Sequence, residues 1–87
     1  TYINRAFLFF SLKKYSESLM DYQESLRLNP KIALGYYGSG IVYLEMNELE
    51  KSKENFQTYL NITSQESSEQ VLNNRLEISK HFPDLNK

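Results

Sequence analysis

Shifted against itself by 34 residues, the chain matches its own apolar and small positions. Tyr2 falls on Tyr36, Ala6 on Gly40, Phe9 on Tyr43, Phe10 on Leu44 and Leu12 on Met46. Tyr15 falls on Leu49, Ser18 on Ser52, Tyr22 on Phe56, Leu26 on Leu60 and Leu28 on Ile62. Apolar meets apolar and small meets small. The polar residues between them mostly do not match, as expected if only packing positions are constrained. A period of this length belongs to chains that stack one supersecondary unit on the next.

Within each copy the apolar spacing is helical. Tyr2, Ala6, Phe9 and Phe10 recur at three- and four-residue steps, one face of a helix. Leu12-Lys13-Lys14-Tyr15 reads as a short connection. Tyr15, Leu19, Tyr22 and Leu26 then predict a second helix, with Glu17, Asp21 and Glu24 beside them. It should end near Asn29-Pro30, because proline disfavours helical geometry in the residue before it. Pro30 is expected to open the third helix, where its missing N–H costs nothing. That helix carries Ala33, Tyr36, Tyr37, Gly40, Tyr43 and Leu44, and Met46-Asn47-Glu48 is the next break. Leu49, Phe56, Tyr59 and Leu60 mark a fourth helix that fades near Ile62-Thr63. Ser64-Gln65-Glu66-Ser67 supplies N-cap candidates and acidic first-turn residues for a fifth. The fifth carries Val71, Leu72, Leu76 and Ile78 and stops before Pro83. Nothing reads as a strand pair, so the expected class is all-α.

Together the positions resemble the tetratricopeptide repeat (TPR) family over residues 2–64, with its W-x₂-L-G-x₂-Y…A-x₃-F…P pattern. In the second copy Tyr36 sits where the pattern has Trp, Gly40 on the Gly, Tyr43 on the Tyr, Ser52 for the small Ala, and Phe56 on the Phe. The first copy offers Tyr2, Ala6, Phe9, Ser18, Tyr22 and Pro30. Arg5 and Ser39 depart from the Leu, and Ser64 replaces the second Pro. The resemblance implies antiparallel helix-turn-helix repeats in a right-handed superhelical stack of about five helices. Repeat one would cover 1–30, repeat two 31–64, a capping helix 65–82 and a tail 83–87. In the cap, Asn74 and Glu77 stand where a third repeat would bring Gly and Tyr, and Glu69, Asn73 and Lys80 predict a polar outer face. Two repeats are fewer than the three a solenoid usually needs. Further repeats before Thr1, or another chain on the open end, are therefore expected.

The small residues have a packing reason. Two antiparallel helices approach closely only where one presents a small side chain, a role for Ala6 and Gly40 against Ser18 and Ser52. Phe9, Tyr22, Tyr43 and Phe56 are the expected core.

Nothing in the chain points to catalysis, a metal or a cofactor. His81 is the one histidine and there is no cysteine, so neither a thiolate site nor a disulfide is possible. Near a helix C-terminus, His81 reads as a surface residue that complements the dipole. Glu45, Glu48, Glu50 and Glu54 alternate with Lys51 and Lys53, which predicts a solvated face with local ion pairs. Gly35, Gly38 and Gly40 lie inside a helical pattern with no preceding strand, unlike a phosphate loop. Asn61-Ile62-Thr63 matches the glycosylation tripeptide, which occurs often by chance. Ten basic and eleven acidic residues leave a net charge of −1, no electrostatic reason to favour nucleic acid or anionic lipid. No apolar run approaches the roughly 20 residues of a membrane span. A start at Thr1 without a signal-peptide pattern reads as an excised or processed form, and the lack of both cysteine and a signal sequence leans toward an intracellular, cytoplasmic setting.

The expected function is therefore a non-catalytic adaptor or scaffold. The resemblance implies that the first helix of each repeat lines a concave groove for peptides or helices. The faces not used for repeat packing offer Ile3, Asn4, Phe7, Phe10 and Ser11, then Leu34, Tyr37, Gly38, Ile41, Leu44 and Glu45, with Val71, Leu72 and Arg75 from the fifth helix. As candidate partner contacts we single out Ile3, Asn4, Phe7, Phe10, Leu34, Tyr37, Ile41 and Leu44. Such a surface suits an apolar segment of a protein partner. Alternatively, it is buried against neighbouring repeats or in a homo-oligomer, since contiguous apolar patches seldom stay open on a monomer. One TPR subclass grips the C-terminal carboxylate of chaperone tails with an Asn in one repeat and a Lys and an Arg in the next. Asn4 matches the first, but Leu34 and Gly38 hold the other two positions, so that ligand is not expected.

Overall fold

The computed structural model describes residues 2–86, so Thr1 of the expected first repeat and Lys87 of the expected tail lie outside the described residues. The helices are α1 (Tyr2–Ser11), α2 (Tyr15–Leu28), α3 (Ala33–Glu45), α4 (Leu49–Ile62) and α5 (Glu69–His81), followed by a 3₁₀ turn at Pro83–Asn86. No strand occurs among the described residues. α1 packs on α2 and α3 on α4 as two helical hairpins, and α2 against α3 joins them into a helical repeat stack.

The two hairpin turns are built alike. Lys13 and Asn47, one period apart, both adopt a left-handed backbone with φ of 62°. Beyond each, an N–H reaches back five residues: Lys14 donates to the Phe9 carbonyl and Glu48 to the Tyr43 carbonyl, both at 2.8 Å. This is the left-handed stop that satisfies orphan carbonyls at a helix C-terminus. The link from α2 to α3 differs from the expectation. Asn29 Oδ1 accepts the Lys31 N–H at 3.1 Å, and the Asn29 carbonyl accepts the Ile32 N–H at 3.1 Å. Pro30 is held in that side-chain-closed turn, and α3 starts three residues later, at Ala33. The cap of α5 is Ser68, one residue past the expected run, and its Oγ accepts the Val71 N–H at 3.3 Å.

Each hairpin crosses at its small residues. Ser18 Oγ donates to the Ala6 carbonyl at 2.7 Å, and Ser52 Oγ donates to the Gly40 carbonyl at 2.8 Å. The serines thus staple the crossings as well as leaving room for them. Around the first crossing Ala6, Leu19, Tyr22 and Val42 form one buried cluster. Phe56, Tyr59, Leu60 and Ile78 form a second, against which Phe82 and Leu85 pack. Of the four expected core aromatics, Tyr22 and Phe56 are buried, whereas Phe9 and Tyr43 are only half-buried. Tyr43 packs from the second hairpin onto the first cluster, and each ring carries a cation on its open face, Arg5 over Phe9 at 6.0 Å and Lys51 over Tyr43 at 5.7 Å. Arg5, at the family's Leu position, makes a bidentate pair with buried Asp21, Nε to Oδ2 at 2.7 Å and Nη2 to Oδ1 at 2.8 Å. That pair ties α1 to α2 through a charge-assisted contact.

The step into α5 breaks the repeat. In α3 the stripe Gly35, Gly38, Ser39 and Val42 is buried, and α2 meets it closely. A Cβ on Gly35 would lie 2.7 Å from Leu26 Cδ2, and one on Gly38 2.2 Å from Tyr22 Cζ. One period later, Glu69, Leu72, Asn73 and Leu76 are all exposed, while Val71, Asn74 and Ile78 are buried. Ser25 of α2 corresponds to Tyr59 of α4, a full ring where the first repeat has a hydroxymethyl group. The Tyr59 ring is buried and its hydroxyl accepts Asn74 Nδ2 at 3.0 Å. Beside it Arg75 Nη2 donates to the Thr63 carbonyl at 2.7 Å. With a bulky neighbour and no small-residue stripe of its own, α5 turns a different face inward. Leu72 and Leu76 therefore join Glu69, Asn73 and Lys80 on an outer face that is not purely polar.

Candidate functional site

A groove of about 540 Å³ runs between α1 and α3. From α1 it takes Ile3, Asn4, Phe7 and Phe10, and from α3 Leu34, Tyr37, Gly38 and Ile41. The helical spacing of each set puts these side chains on one face, and the hairpin stack sets the two faces side by side. Leu44, a turn beyond Ile41, is half-buried and does not line it. The expected contribution of α5 also changes with that helix's rotation. Val71 is buried, Leu72 points outward and Arg75 binds the end of α4, while Gln70 forms the wall instead.

The floor holds a residue missed in the sequence, Tyr22 of α2. It reaches the groove because Gly38 has no side chain to stop it. A Cβ there would overlap the phenol ring and lie 2.6 Å from its hydroxyl. Clustered glycines inside a helix, at Gly35, Gly38 and Gly40, were the available signal that large side chains lie across that helix. Tyr37 is anchored by its rings' neighbours, 5.8 Å from Phe56 and 5.3 Å from Tyr59. Phe7, by contrast, is 64% exposed and Leu34 41%.

The groove is electrically neutral. Its lining contains no carboxylate, Lys, Arg or His. Burial pushes the Tyr22 phenol above its ordinary value, and it pushes Tyr37 up as well, with the negative charge of Glu77 adding to it. Both phenols stay protonated at neutral pH, so they offer hydroxyls rather than charge.

A second concavity, of about 570 Å³, opens at the end of the stack beside Tyr2, Asn4, Arg5 and Leu8. Arg5 is already committed to Asp21 there. Around the α3–α4 turn Glu48 pairs with Lys51 at 3.7 Å, and among the described residues no three His, Asp or Glu side chains gather as a metal site. His81 is exposed in the last turn of α5. Thr63 of the glycosylation tripeptide is buried, its hydroxyl donated to the Tyr59 carbonyl at 2.7 Å. Among the described residues no helix is long and apolar enough to cross a membrane.

Comparison with known proteins places this geometry. The heat shock protein STI1 of Saccharomyces cerevisiae is similar to the chain, 33% identical over 61 residues, which are 70% of this chain and 10% of the relative. The chain thus spans about a tenth of the length of the curated relative it matches. No solved structure matches it. Sequence models of the tetratricopeptide repeat match over residues 1–32 and again over 33–66, each taking in one helical hairpin. With two matched repeats, two equivalent turns and two equivalent serine staples, the chain belongs to the tetratricopeptide repeat family and is built as a protein–protein interaction module.

Proposed function

We propose that this chain is a non-catalytic adaptor or scaffold module that holds an uncharged, apolar segment of a partner protein in the groove between α1 and α3. The observation that carries this reading is Phe7, an aromatic left 64% exposed in a concave surface with Ile3, Leu34 and Ile41 around it. Apolar anchors in a concavity, with a few polar groups at the edge, are what partner segments bury on binding. Here Asn4 and Gln70 are such polar groups, with the hydroxyls of Tyr37 and, on the floor, Tyr22 beside them. The neutral lining favours an apolar segment over an acidic one.

The similarity to a heat shock protein raises the chaperone-tail carboxylate as a ligand, and the residues argue against it. Leu34 and Gly38 stand where a Lys and an Arg would be needed. Gly38 cannot take an Arg, because Tyr22 fills the space that its Cβ would occupy. A carboxylate in this groove would lose its water and meet no cation.

Selection from a displayed random-peptide library on the whole chain tests the reading. Recovered peptides should carry two or more large apolar residues. They should lose binding to Phe7→Glu, with helical circular dichroism unchanged because Phe7 is exposed. Recovery of acidic C-terminal peptides, or binding that Phe7→Glu leaves intact, would overturn it.

A further inference from the structure

We propose that the outer face of α5 is a self-association surface on which two copies of this chain pair antiparallel across a two-fold axis. Successive residues turn by about 100° around a helix, so Glu69, Leu72, Asn73, Leu76 and Lys80 share one face. Val71, Asn74 and Ile78 occupy the opposite, buried face. Leu72 is 49% and Leu76 62% exposed, one turn apart at the centre of the outer face. Glu69 lies at one end of it and Lys80 at the other. The equivalent stripe of α3 is covered by α2, whereas among the described residues this one is left exposed.

The charges choose the occupant. In a two-fold pair, if one residue meets another, the second meets the first in return. Antiparallel pairing centred beside Asn74 sets Glu69 of each copy opposite Lys80 of the other, and Leu72 opposite Leu76 twice. Parallel pairing would instead set Glu69 against Glu69 and Lys80 against Lys80, and like charges across an interface are strongly unfavourable. Lys80 now bonds Glu77 at 3.1 Å on an open surface, both side chains at least half exposed. An exposed pair of that kind contributes little and is readily exchanged. Gln70, by which α5 borders the groove, sits about a quarter turn off this face, so pairing leaves the groove open. A single helix face is smaller than a standard interface, which predicts a weak dimer with a Kd on the order of 100 µM.

Sedimentation equilibrium of the chain over a wide concentration range tests this. The mass should rise from 10.3 kDa toward twice that value, and Leu76→Lys, at an exposed position, should stay monomeric with unchanged circular dichroism. Glu69→Lys alone and Lys80→Glu alone should each weaken pairing at least about tenfold. An equimolar mixture of those two variants, and the double variant carrying both, should recover it, which a folding defect would not allow. A monomer at every concentration overturns the proposal. So does a dimer indifferent to Leu76→Lys, and one abolished by Phe7→Glu would locate self-association in the groove instead.

Discussion

Gly40→Ala separates packing from helix propensity. Gly40 lies inside α3 at a negative φ, so alanine meets no backbone strain there. On propensity alone the change should stabilise the helix by about 1 kcal/mol. The new Cβ, however, would lie 2.6 Å from both Cδ1 and Cε1 of Phe56 and 3.1 Å from Cζ. Phe56 has no exposed surface and has Tyr37 and Phe82 at 5.8 Å on its flanks, so the ring has little room to yield. The backbones are also held together by the Ser52 hydroxyl on the Gly40 carbonyl. Overpacking a filled core costs about 1–3 kcal/mol, which exceeds the propensity gain and leaves a net loss of about 1 kcal/mol. For a domain this size that is a Tm lower by about 4–8 °C, read by thermal unfolding under circular dichroism. Shortening the ring should relieve the clash, so Phe56→Leu should cost at least about 1 kcal/mol less in the Gly40→Ala background than alone. A Tm that rises in Gly40→Ala, or strict additivity with Phe56→Leu, would refute the close-crossing argument.

Other perturbations test the remaining contacts. The Arg5 hydrogen bonds hold the Asp21 carboxyl below the ordinary aspartate range. The stability this pair supplies is therefore complete above about pH 4 and is lost as the pH falls through Asp21's lowered folded value. Asp21→Asn should lower Tm at neutral pH, with the gap to the parent closing in acid; a gap independent of pH would contradict the pairing. Tyr59→Phe strands the buried Asn74 amide and should cost about 1–3 kcal/mol in chemical denaturation. Adding Asn74→Leu should recover part of it, and no recovery would mean that the hydrogen bond is not what seats α5. At the hairpin turns, Lys13→Gly should raise stability by about 0.5–1 kcal/mol by relieving a left-handed lysine. Asn47→Gly should gain less, because asparagine tolerates that region; equal gains would argue against the backbone explanation.

The amino-acid sequence by itself determined the helices, their pairing and most of the groove. A repeat spacing and a helical step within it are local properties, and they put Ile3 and Phe7 on one face of α1 and Leu34 and Ile41 on one face of α3. The same periodicity marked Ala6 and Gly40 as crossings, because only small residues permit them. Tyr22 and Gln70 were not legible as groove residues, since they arrive from α2 and α5 and their reach depends on what faces them. Arg5 looked like a departure from the repeat until Asp21, on another helix, was seen beside it. The rotation of α5 was decided only by the tertiary structure. A period states that a position recurs, and it assumes that the neighbour recurs too. Where Ser25 gives way to Tyr59, the space between helices changes, and a ring of fixed size with one hydroxyl to satisfy selects Asn74 as its partner. That choice buries Val71 and Ile78 and leaves Leu72 and Leu76 facing water.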